Sequence, residues 1–149
     1  MTPCARLRNF KNYSRTSVCR ISALGEPDTS ILILSEHDTN ISNVSAMLGL
    51  AWNLPGCQPN ETPPGGALIF SLWRDSSGGR FFVRIQYIAQ TMNQIRAGGG
   101  LTLSAPPASQ ILMIRACKSA SPRLGCNWVT FDRDAHQAID PARVDFVAE

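Results

Sequence analysis

Residues 31–34 read Ile-Leu-Ile-Leu, a clean apolar run with no polar alternation. A run of this kind fits a short strand buried on both faces of a parallel sheet. It stops at a dense polar cluster, Ser35-Glu36-His37-Asp38-Thr39-Asn40. Beyond the cluster, Ile41, Val44, Leu48 and Ala51 fall roughly on one face of a helix. Thr39 or Asn40 is placed to cap its N-terminus. The pattern therefore predicts strand, polar loop, helix. In sheets built this way ligands gather at the strand ends, where helix N-termini present free N–H groups.

The stretch 54–66 is loop, with Leu54-Pro55-Gly56 and then Thr62-Pro63-Pro64-Gly65-Gly66 supplying fixed φ angles and tight turns. A hairpin follows: 67–74 and 80–88 are rich in β-formers, and Asp75-Ser76-Ser77-Gly78-Gly79 joins them. Phe81, Val83, Ile85 and Tyr87 alternate with Phe82, Arg84 and Gln86, which predicts one buried face and one partly wet face. Residues 90–96 read as a helical turn ended by Gly98-Gly99-Gly100. A short strand is expected at 111–115, after the break at Pro106-Pro107, and a short helix at 131–138, stopped near Pro141.

The chain of 149 residues is long enough for one domain with a real core. Its hydrophobic fraction of 44% and charged fraction of 17% are those of a globular protein. No apolar run reaches the length of a membrane span, and the first twenty residues hold no apolar stretch of the kind a secretory leader carries. The net charge of +3 is concentrated at one end. Residues 1–24 carry Arg6, Arg8, Lys11, Arg15 and Arg20 and no acid, which leaves nine basic against eleven acidic residues in the remainder. A basic arm can bind nucleic acid. This one has no regular spacing and only Phe10 and Tyr13 as aromatics, so it reads as an unstructured leader or a segment foreign to the fold. Neither nucleic acid nor membrane is expected as a partner.

Of the five cysteines none forms a Cys-x-x-Cys pair, and neither histidine sits near one, which argues against a metal site. Cys117 and Cys126 bracket a polar loop, 118–125, that suits a local disulfide and an oxidising compartment. Cys4, Cys19 and Cys57 are unassigned. Trp52 and Trp73 read as core or loop anchors, and His136 as a surface helix residue.

The cluster at His37-Asp38-Thr39-Asn40 is the one that invites chemistry. A histidine at a strand-to-helix junction can hydrogen-bond or charge-pair with phosphate, and the helix N-terminus adds donors. An aspartic acid beside a bound phosphate keeps its proton into mildly acidic solution, because the adjacent negative charge disfavours another. It can then protonate a leaving alkoxide. The same four residues also fit a plain helix cap with a satisfied histidine beside it.

Several separated motifs occur here in one order. They are His37-Asp38-Thr39-Asn40-Ile41, Leu48-Gly49-Leu50, Trp52-Asn53-Leu54-Pro55-Gly56, Thr62-Pro63-Pro64-Gly65-Gly66, Trp73-Arg74 and Gln90-Thr91-Met92-Asn93-Gln94-Ile95-Arg96. Together with Pro106-Pro107 and the Cys117–Cys126 spacing they resemble the C-terminal part of bacterial histidine acid phosphatases of the phytase and glucose-1-phosphatase type. The resemblance covers 27–149 and leaves 1–26 as an unmatched N-terminal segment. It implies an α/β, phosphoglycerate-mutase-like fold, here with a β-hairpin and a short C-terminal helix. It also implies hydrolysis of phosphate monoesters, phytate or a sugar phosphate, through a phosphohistidine and without a cofactor. His37 would be a phosphate contact, Asp38 the proton donor and Thr39 a substrate contact. The family is periplasmic or secreted, and Cys117–Cys126 matches a disulfide of that lineage.

The sequence departs from the family's pattern in two further ways. No Arg-His-Gly-x-Arg-x-Pro nucleophile motif occurs in it, and Glu36 stands where the family usually has glycine, so that a carboxylate would face the phosphate. The expectation is the C-terminal portion of an acid phosphatase, inactive by itself. The alternative is a non-catalytic remnant or a phosphate-binding module of low affinity. Self-association is also expected, since part of an open sheet exposes strand edges and apolar faces.

Overall fold

The computed structural model describes residues 31–75, 79–117 and 125–139. The chain divides into two compact units, Met1–Ser35 and Glu36–Glu149. In the first, only 31–35 are described. These residues form no strand, and Ile31 and Ile33 are 78% and 83% exposed. The buried strand expected at 31–34 is therefore not formed. Such a strand needs ladder partners on its edges, and no described strand pairs with it.

The second unit is a four-stranded antiparallel sheet with helices. Helix α1 spans Asp38–Leu48, β1 Ala67–Arg74, β2 Phe81–Ala89, α2 Met92–Ala97, β3 Ala108–Leu112, β4 Cys126–Asn127 and α3 Trp128–Ala138. A 3-10 turn at Arg115–Cys117 separates β3 from β4. The strands run in the order β1-β2-β3, with β4 pairing β2 beyond the end of β3.

The hairpin falls where alternation puts it. Val83, Ile85, Tyr87 and Ala89 are buried, and the residues between them are half-buried. The strand expected at 111–115 instead begins at Ala108, directly after Pro106-Pro107, and Arg115 enters the 3-10 turn. The helix expected at 131–138 starts at Trp128, because Asn127 caps it by accepting a hydrogen bond from the Val129 N–H (3.0 Å). Its expected stop near Pro141 lies outside the described residues.

Helix α1 buries Ser45 and Leu48 and half-buries Ile41, so its inner face runs 41, 45, 48. Val44 is exposed. Ala51 lies beyond the helix, because Gly49 ends it in the left-handed region (φ 62). Ser45 satisfies its buried hydroxyl by donating to the Ser42 carbonyl at 2.8 Å. Leu48, Leu50, Trp52 and Leu54 then enter the core against β2 and β3. Fully burying one such side chain contributes roughly 1.5–3 kcal/mol.

Trp52 anchors the loop after α1. Its indole N–H donates to the Glu61 carbonyl (2.8 Å), its backbone N–H donates to Asn60 Oδ1 (2.9 Å), and its ring stacks on Tyr87 at 4.2 Å. Next to it, the Asn53 N–H donates to Gln110 Oε1 on β3 (2.8 Å). Trp73 is half-exposed, with the Arg84 guanidinium 4.3 Å above its ring. Cys117 and Cys126 are bonded, their Cα atoms 5.4 Å apart. Among the described residues Cys57 is a free thiol, packed against the core; Cys4 and Cys19 lie outside them.

Candidate active site

His37, Asp38 and Thr39 stand at the N-terminus of α1. His37, not Thr39 or Asn40, is the N-cap residue, extended at φ −82 and ψ 159, and its side chain makes no capping bond. The turn is closed instead by the backbone: the Asn40 N–H donates to the His37 carbonyl at 3.0 Å. Asp38 Oδ1 accepts from the Thr39 N–H at 2.8 Å, which orients the carboxylate beside the first helical turn. All three side chains are exposed. They sit together through sequence adjacency and the helix start, and among the described residues no further side chain holds them.

Glu36 is exposed as well, and its carboxylate accepts a hydrogen bond from the Asn40 amide. The bond spans His37 and Asp38 like a bracket. It keeps at the helix start the second carboxylate that the sequence places there, although the hydrogen bond itself has no signal in the sequence. None of the ion pairs among the described residues joins an arginine to His37 or Asp38. No group of three potential metal ligands is present among the described residues. His136 lies on the exposed side of α3, its Nδ1 2.7 Å from the Asp132 carbonyl, in keeping with a surface role.

A hollow of about 360 Å³ lies elsewhere, lined by Pro55, Gly56, Thr91, Met92, Asn93 and Arg96. One wall is α2, fixed by a capping box in which Thr91 Oγ1 accepts from the Gln94 N–H (3.2 Å) and Gln94 Oε1 from the Thr91 N–H (2.9 Å). The Thr-x-x-Gln spacing of residues 91–94 is the sequence signal of this box.

The profile of the histidine phosphatase superfamily (branch 2) matches residues 4–87, more than half of the chain and inclusive of His37 and Asp38. The chain belongs to this family. The matched stretch begins ahead of the boundary drawn at residue 26. Among histidine phosphatases, phytase AppA of Escherichia coli (strain K12) is 36% identical over 114 residues, 76% of this chain and 26% of its own length. Glucose-1-phosphatase of Providencia rettgeri is 28% identical over 73% of this chain and 26% of its own. Hafnia alvei phytase in complex with tartrate superposes with a TM-score of 0.73 at 38% identity, over 91% of this chain and 32% of that one. The same phytase in complex with myo-inositol hexakis sulphate gives 0.65 at 42% identity, over 71% and 26%. The chain thus spans about a quarter of the length of its curated relatives. These neighbours share the α/β histidine phosphatase fold, to which the hairpin and α3 belong.

Proposed function

We propose that this chain supplies the proton-donating part of a phosphomonoester hydrolase site, and that an inositol phosphate or a sugar phosphate is the substrate. One observation carries the reading: an Asp38 carboxylate at the start of α1, beside His37, in a stretch that matches the family profile. Phosphate bound there would meet the positive end of the α1 helix dipole and the His37 imidazole. Asp38 would hand its proton to the leaving alkoxide as the P–O bond breaks. Thr39 would contact the substrate beside them. The phosphoryl group would pass to a histidine of the Arg-His-Gly-x-Arg-x-Pro type, which is not among these 149 residues, and then to water. The names of the relatives support the substrate class. An oxidising, periplasmic or extracellular setting accords with the Cys117–Cys126 bond.

The test joins this chain behind the nucleophile-bearing portion of a phytase and follows phosphate release at acid pH. The joined protein should turn over, and the chain by itself should not. Asp38→Asn should lower turnover of an alkyl phosphate by about 10²–10⁴-fold. It should cost less with p-nitrophenyl phosphate, whose leaving group needs no proton. Turnover by the chain alone, abolished by Asp38→Ala, would overturn the proposal. Glu36 favours a second reading, a non-catalytic remnant, because its carboxylate repels phosphate at the helix start. A joined protein that folds and stays inactive would decide for that reading.

A further inference from the structure

We propose that β1 is the seam of a symmetric dimer, in which two copies of this chain join β1 to β1 antiparallel about a two-fold axis through Ser71. Among the described residues β1 pairs with β2 alone and forms the outer edge of the sheet. The direction of its backbone groups follows from one bond. The Asp75 N–H donates to the Arg80 carbonyl at 2.8 Å, so residues 75 and 80 are a hydrogen-bonded pair. Counting back by twos, Trp73, Ser71, Ile69 and Ala67 face β2, and Leu68, Phe70, Leu72 and Arg74 turn their N–H and C=O groups outward.

Natural edge strands are guarded by central charges, prolines or bulges. Strand β1 has none of these: its sequence is Ala-Leu-Ile-Phe-Ser-Leu-Trp-Arg, its only charge is at the last position, and its register with β2 is unbroken over eight pairs. Phe70, Leu72 and Trp73 are 43%, 47% and 50% exposed.

The occupant that fits this edge is the edge itself. With Ser71 opposite the partner's Ser71, all four outward residues find outward residues: Leu68 opposite the partner's Arg74, and Phe70 opposite the partner's Leu72. Directly opposed residues share a face. Phe70 therefore packs on the partner's Leu72 on the α3 side, where Phe70 already meets Phe131 at 6.2 Å. Trp73 packs on the partner's Ile69 on the other side. The two Arg74 side chains fall at opposite ends of the seam, about 20 Å apart, so like charges do not meet. A slip of one residue would oppose outward to inward groups and invert the faces. A slip of two leaves an outer pair unmade. The seam is short, at the small end of specific interfaces, so the dimer is reversible.

Sedimentation of the full chain from about 1 to 200 µM tests this. The weight-average mass should climb with concentration toward twice the 16.2 kDa of one chain. Amide exchange at Leu68, Phe70, Leu72 and Arg74 should slow at the concentrated end, while Ser71 and Trp73, bonded to β2 in either state, stay unchanged. Leu72→Lys should weaken association at least tenfold, and Leu103→Lys, which puts the same charge on a fully exposed leucine outside the strands, should leave it unaltered. A monomer at every concentration would overturn the proposal. So would equal losses in the two variants, or association without protection of the four outward amides. If Leu72→Lys does not fold, the exchange pattern of the unsubstituted chain decides.

Discussion

Tyr87 shows how a single side chain can be fixed by shape and left unsatisfied in chemistry. Its ring lies flat on Trp52, and its hydroxyl is pressed against Gly66, where any Cβ would collide with it. That hydroxyl is fully buried and has no hydrogen-bond partner among the described residues. Burial pushes the phenol above its ordinary range, and the negative charges of Cys57 and Glu61, when ionised, push it the same way. A raised folded pKa means that the unfolded chain loses this proton first. The associated stability is therefore present below about pH 10 and falls as the pH rises through the folded value. Tyr87→Phe removes the buried polar atom and keeps the stack. It should leave the protein as stable or up to about 1 kcal/mol more stable at pH 7, and its stability should fall less steeply above pH 10. Urea midpoints of the two proteins from pH 7 to 11 measure both effects. A loss of more than about 2 kcal/mol at pH 7 would mean that the hydroxyl has a partner after all. Tyr87 was legible as an inward residue because strand alternation has a period of two. Its contact with Gly66 was not, since two residues 21 apart in sequence carry no local signal of their meeting.

At the scale of elements, legibility followed locality. The hairpin, the glycine that ends α2 and the Cys117–Cys126 pair are short-range features, and each appears as the sequence implies. The apolar run 31–34 is long-range: whether it becomes a strand depends on neighbours that β-propensity does not encode. The start of α1 lay between these cases. Thr39 and Asn40 are good caps in isolation, yet Asp38 takes the Thr39 N–H and Asn40 turns to Glu36, so the helix begins earlier. The position of His37 and Asp38 was thus readable, but the Glu36–Asn40 bracket around them was not. The disulfide ties the 3-10 turn to β4 across a sequence separation of nine. Closing so short a loop removes conformations from the unfolded chain worth roughly 2–3 kcal/mol. Replacing both cysteines by serine should lower the unfolding free energy by about that amount, read from urea midpoints beside the oxidised protein. Unchanged midpoints would show that the loop is already constrained when unfolded.

Across the whole molecule, the core gathers residues from α1, the loop after it, β2 and β3 onto one buried face. The same hydrophobic pattern that made the sheet legible says nothing about where a substrate sits, because the candidate catalytic residues are exposed and polar. Phytase AppA has about three-quarters of its length beyond the part that this chain spans.

The hydrogen bond from Asn53 to Gln110 has a consequence in time. The two residues are 57 apart, whereas β1 and β2 are joined across six residues. Closing the longer loop costs more entropy before any contact rewards it. The hairpin is therefore expected in the folding nucleus, and the clamp on the segment after α1 is expected to close on the downhill side of the barrier. In a chevron experiment Gln110→Ala should speed unfolding and leave the folding arm nearly unchanged; a slowed folding arm would place the clamp in the nucleus. During synthesis, likewise, α1 and the histidine–aspartate pair leave the ribosome well before Gln110 exists to hold the adjoining loop. The loop beside the candidate site is then expected to be fastened after the hairpin and released before it.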